Sequence, residues 1–297
     1  MSRDQQYRYE EAPDGSFRNG YQITETLFEG QSDFQKVTVV DTVAYGRMLL
    51  LDDLVQTTER DEFIYHEMIA HIPLLSLERP PERVLVIGGG DGGTAREVLK
   101  HPSVQEVVVC EIDGLVIDVC KQFLPSMAHV FDSPKVTTLV RDGIEYIATQ
   151  KNAFDAILID SSDPVGPGEG LFTEAFYQNV KAALKPGGIM VNQSESPMAQ
   201  RRSFQLVYRL LNQVFPIVKP YIATIPTYPG GYWSWAYCSE SIQPNGATQQ
   251  LLAQSIEKHT QYFNQGIREA SFVLPNFIQS LVSEATQEVS PGSLSLC

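Results

Sequence analysis

The sequence predicts an α/β fold: a mostly parallel sheet covered by helices on both faces, preceded by a small antiparallel β domain. Three observations carry this expectation. Short apolar runs recur at residues 84–87, 107–110, 136–140 and 154–159, separated by stretches with helical spacing. Buried parallel strands read as such runs, and each crossover between them needs a helix. The first run opens into Gly88-Gly89-Gly90-Asp91-Gly92-Gly93, where glycine lets the backbone turn sharply and approach a ligand closely. Ahead of these runs, residues 21–51 alternate with a period near two, the mark of half-buried antiparallel strands.

Taken in order, residues 1–18 are polar and read as irregular chain or an edge strand. Val37 and Val39 alternate with Thr38 and Val40, Tyr45-Gly46 marks a hairpin turn, and residues 48–51 are an apolar run. Asp52 and Asp53, followed by Val55, Gln56 and Thr57, predict a further strand pair. Residues 1 to about 60 therefore form the small domain. Residues 61–71 read as a helix, with Glu62 and His66 four apart; Pro73 weakens its last turn and Pro80-Pro81 mark a hinge. Residues 61–80 are the link, and 81–297 the larger domain. There, helices are predicted at 94–100, 113–123, 144–149, 173–184 and 198–214, with Pro186-Gly187-Gly188 closing the fourth. A fifth strand opens at Ile189. Residues 218–225 and 232–238 form a closing antiparallel pair, followed by a helix near 248–259 and an apolar stretch near 270–281.

Composition narrows the partners. A chain of 297 residues, 43% of them hydrophobic, can bury a large core and is no disordered polymer. Its formal charge of −14 disfavours nucleic acid and favours a cationic partner. No stretch approaches the ~18 apolar residues of a membrane span. The start, MSRDQQYRYEEAPDG, is polar and unlike a signal peptide, so no membrane association and a cytoplasmic location are expected. Cys110, Cys120, Cys238 and Cys297 show no close pairing, which points to a reducing compartment and no structural metal.

Ligands of open α/β sheets bind beyond the carboxyl ends of the strands. Four strands here end near an acid: Asp91, Glu111, Asp142 and Asp160, with Asp163 just after the last. One such acid alone is as often a helix cap or a solvated loop residue. Four in succession converge on one rim that attracts a cation. Glu111, about 20 residues past the first glycine, suits two ribose hydroxyls. Asp142 beside Gly143 suits an adenine amino group and a turn. That leaves Asp91, Asp160 and Asp163 for positive charge; in the loop, Asp160 and Asp163 either share an amine, or one holds it while the other takes its proton. A serine nucleophile is a poor reading, because no Gly-x-Ser-x-Gly elbow is present. Tyr65 and His66 lie near the cleft or pack; Trp233 and Trp235 read as core.

The stretches YGRMLLLDDLVQTTERDEFIYHEM, VLVIGGGDGGTAREVLKHPSV, VVVCEID, RDG, DAILIDSSDPVGPGEGLF, FYQNVKAALKPGG and IPTYPGGYW closely resemble the spermidine synthases, the polyamine aminopropyltransferases. The likeness runs from about Gln35 to Trp233, with an echo in ASFVLPNF. It implies a small N-terminal β domain and a methyltransferase-type, Rossmann-like catalytic sheet, assembled as a homodimer or homotetramer. It implies transfer of the aminopropyl group of decarboxylated S-adenosylmethionine, a co-substrate, to putrescine, giving spermidine and methylthioadenosine without a cofactor or metal.

Residue roles follow from the same resemblance. Gln35 and Glu111 match the nucleoside contacts; Asp142, Gly143 and Pro167 match those around the adenine. Asp91 matches the group holding the aminopropyl amine, and Asp160 the general base. Tyr65 and Tyr228 match residues orienting the attacking amine, and Asp163 the anchor of its distal end. His66, where some relatives carry glutamine, is expected to hydrogen-bond to substrate, with Gln193 and Glu195 lining the amine channel. Two other readings stand beside this one: an N-methyltransferase using ordinary S-adenosylmethionine on a similar diamine, and a catalytically silent polyamine-binding protein. Longer acceptors remain compatible with the sequence.

Overall fold

The computed structural model describes residues 6–11, 18–161, 166–244 and 249–286. Five strands, β1 (Gln6–Glu11), β2 (Arg18–Gln31), β3 (Lys36–Thr42), β4 (Gly46–Leu51) and β5 (Leu54–Thr58), pair in sequence order into an antiparallel sheet. The β4–β5 turn places Asp52 and Asp53 at φ 48° and 63°, a left-handed conformation that Asp tolerates better than most residues. The Asp52 carboxylate also accepts the Lys36 N–H at 2.9 Å. Successive side chains of a strand face opposite ways. Val40, Met48 and Leu50 therefore pack with Tyr21, Ile23 and Val55 on one face. Val37, Val39 and Leu49 join the main core on the other.

The second sheet follows the predicted rhythm. Its elements are β6 (Arg83–Gly88), α2 (Gly93–Leu99), β7 (Glu106–Glu111), α3 (Gly114–Phe123), α4 (Pro125–Ala128), β8 (Val136–Val140), α5 (Gly143–Ala148), β9 (Phe154–Asp160), α6 (Glu174–Ala183) and β10 (Leu184–Gln193). After them come α7 (Arg201–Val214), β11 (Ile217–Thr224), β12 (Tyr232–Ser239), α8 (Gln250–Ile256), α9 (Gln265–Ala270) and α10 (Asn276–Thr286). The strand order is β11-β12-β10-β9-β6-β7-β8, with only β12 antiparallel to its neighbours. Both faces are covered: Val84 and Val86 enter one core, Leu85 and Ile87 the other. From β6 the chain first builds outward through β7 and β8, then returns to place β9 on β6's other side. The order reverses between β6 and β9, where a crevice for ligand opens beyond the strand ends.

Three elements differ from the sequence reading. The fifth strand, expected from Ile189, is β10 and begins at Leu184, so Pro186-Gly187-Gly188 lie within it rather than closing α6. The helix expected over 61–71 is α1 (Glu62–Ser76) and continues through Pro73. A proline inside a helix removes one backbone bond, but every residue of α1 except Phe63 is buried. The helix packs on α2, β9, β10 and β11, and the Ser76 hydroxyl donates to the Ile72 carbonyl at 2.7 Å. Tertiary packing outweighs the local defect. The helix expected from Met198 begins instead at Arg201, because Glu195 takes φ 68° and turns the chain before it. Cys110, Cys120 and Cys238 are free and buried; Cys297 lies outside the described residues. Among the described residues no helix is long and apolar enough to cross a membrane.

Candidate active site

The crevice is lined by the ends of β6 and β9, which pair with Gly88 opposite Asp160. Gly88 has φ 83°, and a Cβ on it would lie 2.1 Å from the Asp160 carbonyl oxygen. Only glycine fits that backbone and that approach. Gly89 then donates its N–H to the same carbonyl at 2.9 Å. The turn thus sets the main chain of Asp160 directly against the glycine loop.

The Asp160 side chain is held twice more. The Thr94 hydroxyl donates to Oδ2 at 2.7 Å, and the Tyr65 hydroxyl donates to the same carboxylate. Burial, and then the charge of Asp91, push the Asp160 carboxyl above its ordinary range; His66, Thr94 and Tyr65 only partly offset them. A carboxylate so placed is a better base than one in water. Asp91 spends one oxygen on the Gly93 N–H, at 2.8 Å, so the helix-capping role open to a lone acid is partly real. Its Oδ2 faces His66 Nε2 at 3.3 Å. Burial opposes charge on Asp91, but His66 outweighs it and lowers the carboxyl.

His66 stands between two acids. Its Nδ1 lies 2.6 Å from Glu62 Oε2, the partner four residues earlier on α1. Burial disfavours the imidazolium, yet Asp91 and Glu62 together raise it well above its ordinary value. Glu62 is gripped in turn by Arg96, whose Nη1 and Nη2 reach its two oxygens at 2.9 and 2.8 Å, a bidentate charge-assisted pair.

An aromatic wall closes one side. The Tyr65 ring lies 6.0 Å from Tyr228 and 5.4 Å from Trp235, and Tyr228 lies 4.6 Å from Trp233. The Tyr228 hydroxyl donates to the Gln56 carbonyl of β5, fastening the β11–β12 connection to the N-terminal sheet. Asp61 makes a second fastening: it accepts from the Thr58 hydroxyl at 2.5 Å and from the Thr227 N–H and hydroxyl at 3.0 and 2.8 Å.

At the end of β7, Glu111 lies beside Gly90, where a Cβ would stand 3.0 Å from its Oε2. The Asp113 N–H donates to Glu111 Oε1 at 2.9 Å. Burial nevertheless pushes this carboxyl up to about 7. Gln35 does not reach Glu111 directly: its amide donates to Asp113 Oδ2 at 3.0 Å, and the Ser32 hydroxyl donates to the same atom at 2.7 Å. Asp142 caps α5, accepting the Ile144 N–H at 2.6 Å. The adjoining Gly143 lies so close to Ile87 that a Cβ would meet it at 2.7 Å. Gln193 donates to Glu195 Oε1 at 2.8 Å and to the Ser161 carbonyl at 3.3 Å. Asp163 and the Pro167 side chain lie outside the described residues.

The structure thus brings the buried Tyr65 and His66 together with the part-buried Asp91 and Asp160, with Tyr228 against Tyr65; Glu111, Asp142 and Gly143 sit at the ends of neighbouring strands. Thr94, Glu62, Arg96 and Asp113 are additions the sequence reading did not assign. Of these, only the Glu62–His66 spacing carried a local signal.

A doubly covered, mostly parallel sheet with an acid closing its second strand and part-buried carboxylates at its switch point has the architecture of the nucleotide-binding α/β proteins as a class. The family described as "Spermine/spermidine synthase domain" matches residues 62–249, and "Spermidine synthase tetramerisation domain" matches 7–59. The polyamine aminopropyltransferase of a Thermoanaerobacter species is 42% identical over 93% of this chain and 98% of its own. That of Desulforudis audaxviator is 44% identical over 91% and 97%. A spermidine synthase solved with the transition-state analogue AdoDATO superposes with TM-score 0.92 at 38% identity, covering 96% of this chain and 97% of that one. The Thermotoga maritima spermidine synthase gives 0.89 at 37%, covering 95% and 96%. The chain belongs to the spermidine synthase, or polyamine aminopropyltransferase, family, whose general activity is aminopropyl transfer to polyamine substrates.

Proposed function

We propose that this enzyme transfers the aminopropyl group of decarboxylated S-adenosylmethionine to putrescine, forming spermidine and methylthioadenosine. The observation that carries this reading is the part-buried Asp91–Asp160 pair at the strand-order reversal, with the glycine turn between them and Glu111. Asp91 takes the donor's amine. Glu111 takes the ribose hydroxyls, with Gln35 alongside through Asp113, while Asp142, Gly143 and Pro167 surround the adenine. Putrescine lies against Tyr65 and Tyr228, its far ammonium on Asp163, with Gln193 and Glu195 farther along the channel and His66 as a hydrogen-bonding neighbour.

The chemistry is one in-line displacement. The neutral nitrogen of putrescine attacks the aminopropyl carbon next to sulfur; the C–N bond forms as the C–S bond breaks. The electron pair of that bond neutralises the sulfonium, so methylthioadenosine leaves uncharged. The attacking nitrogen passes its proton to Asp160, whose raised carboxyl holds it. No charge is created in the step, so alignment and exclusion of water supply much of the rate. Assembly as a homodimer or homotetramer through the N-terminal sheet, and a cytoplasmic location, complete the proposal. The N-terminal match to a tetramerisation domain supports the former. Mass spectrometry of the enzyme with both substrates should detect spermidine; a folded enzyme that makes none ends this reading. Light scattering that gives only the 33.1 kDa chain mass at micromolar protein would end the assembly proposal.

A further inference from the structure

We propose that His66 is a resident cation that stands in for the donor's ammonium at Asp91 and surrenders its proton when the donor binds. The inference rests on the reading of Asp91 as the site of the aminopropyl amine. It assigns to Glu62 a positioning role that the reaction itself does not require.

The geometry is that of a charge held in reserve. His66 is almost fully enclosed, with 3% of its side chain exposed. Its two ring nitrogens face two different carboxylates, Glu62 at 2.6 Å and Asp91 at 3.3 Å. The flat backbone of Gly93 seals one side of the ring, since a Cβ there would lie 2.2 Å from Cε1. The Tyr65 ring stands edge-on at 5.4 Å. The other charged groups near it are Asp160, which senses its charge across the crevice, and Arg96, which reaches it only through Glu62. In the free enzyme Asp91 and Asp160 would otherwise be two acids sharing one part-buried space. An imidazolium at this position neutralises part of that charge, consistent with the upward shift of His66 and the downward shift of Asp91.

The donor brings its own cation to the same carboxylate oxygen. Two cations on Asp91 Oδ2 in a part-buried site repel. The economical exchange is one for one: the ammonium enters and the Nε2 proton leaves to solvent. His66 remains as a neutral imidazole, with Nδ1–H still donated to Glu62. Its freed Nε2 lone pair then accepts an N–H of the ammonium. The departed proton offsets the ammonium's charge at Asp91, leaving the sulfonium as the one charge the donor adds, and the histidine becomes the hydrogen-bond acceptor that a substrate amine requires. Glu62, clamped by Arg96, fixes which nitrogen keeps its proton.

The test counts protons. Decarboxylated S-adenosylmethionine and methylthioadenosine, which has the ribose but neither the ammonium nor the sulfonium, are titrated calorimetrically into the full enzyme and into His66→Gln, whose comparison isolates the histidine, in buffers of different ionisation enthalpy. At about pH 8, above the value near 7 of Glu111, the ribose acid contributes little. Wild type should release about one more proton per site with the donor than with methylthioadenosine, and donor affinity should strengthen up to about tenfold per pH unit within the window. His66→Gln, which keeps a hydrogen-bonding group without a titration, should bind methylthioadenosine and show no such difference. Nitrogen NMR of wild type reads the ring directly: both nitrogens protonated in the free enzyme, Nε2 bare with donor. Equal proton counts for the two ligands in wild type, or an excess that persists in His66→Gln, would overturn the inference while leaving the donor assignment intact. Failure of both ligands to bind wild type would overturn the nucleoside reading and this inference with it.

Discussion

Gly93 lies flat against the imidazole of His66, and an alanine methyl there would stand 2.2 Å from Cε1. The glycine at this position serves its neighbour's side chain, because its own φ is not in the left-handed region. Gly93→Ala should therefore push His66 away from Asp91. We predict a loss of kcat/KM of about tenfold or more and a stability cost of about 1–3 kcal/mol from overpacking. Steady-state kinetics and thermal melting check this together; wild-type kinetics in the variant would show that the His66 position does not matter.

Asp160→Asn keeps shape and hydrogen bonding but removes the base. A fall in kcat of roughly 10²-fold or more is expected. In wild type, activity should decline as pH drops and Asp160 takes up a proton, with the acid limb displaced upward from that of an ordinary carboxylate, in the direction of its shift. Asp163→Asn should chiefly raise the KM for putrescine, with a smaller loss of rate. If alanine at both positions left turnover intact at saturating substrate, the rim acids would have no part in the chemistry.

Asp91 should exclude ordinary S-adenosylmethionine, which carries a carboxylate on the carbon that bears the amine. Bringing that carboxylate beside a buried acid is repulsive, and a difference of about 3 kcal/mol gives a preference above a hundredfold. Titration of both donors should show wild type binding the decarboxylated one much more tightly and Asp91→Asn losing most of the gap. An unchanged gap in the variant would place selectivity elsewhere.

Glu111 and Glu97 should pull the pH–stability curve in opposite directions. Glu111, raised from 4.5 to about 7 by burial, holds more protons folded than unfolded between those values. Stability therefore falls as pH rises through that window, by roughly 3 kcal/mol in all. For Glu97, burial opposes the charge, but His71, Lys100 and Arg96 prevail and bring it down to about 2. Its contribution is present above 4.5 and is lost as pH falls toward 2. Thermal melts from acid to neutral pH should show Glu111→Gln gaining on wild type as pH rises and levelling above about 7. The same variant should bind donor poorly. Parallel curves for the two proteins would contradict the assignment.

The rim acids were legible because each ends a run of apolar residues, and burial on both faces makes those runs conspicuous. The antiparallel pairs showed in the alternation of Val37, Val39 and Val40 and in the turns at Gly46 and Asp52. What lay beyond reach was pairing across the fold. Thr94 reads in sequence as an ordinary helix-start residue; only the Gly88–Asp160 register brings it to the base. Arg96 has no local cue to Glu62, and Asp113 none to Ser32 or Gln35. The end of α1 was misjudged because a proline signals a break locally, while the packing that overrides it comes from strands far along the chain.

The two sheets differ in when they can exist. In the first, each strand hydrogen-bonds to its sequence neighbour, so it can assemble as the chain leaves the ribosome. In the second, β6 waits for β9 to emerge, and α1 waits longer still. The Glu67 carboxylate accepts the N–H groups of Gln261, Tyr262 and Phe263, at 2.7, 2.8 and 2.7 Å, close to the end of the described chain. Nascent protein thus passes through an interval in which the N-terminal sheet is paired and α1 can reach α2 but not yet β9, β10 or β11, leaving apolar surface of the helix uncovered. Pulse-labelled hydrogen exchange during refolding should find the Val39 and Leu49 amides protected before that of Ile157; simultaneous protection would mean that the two sheets form as one unit.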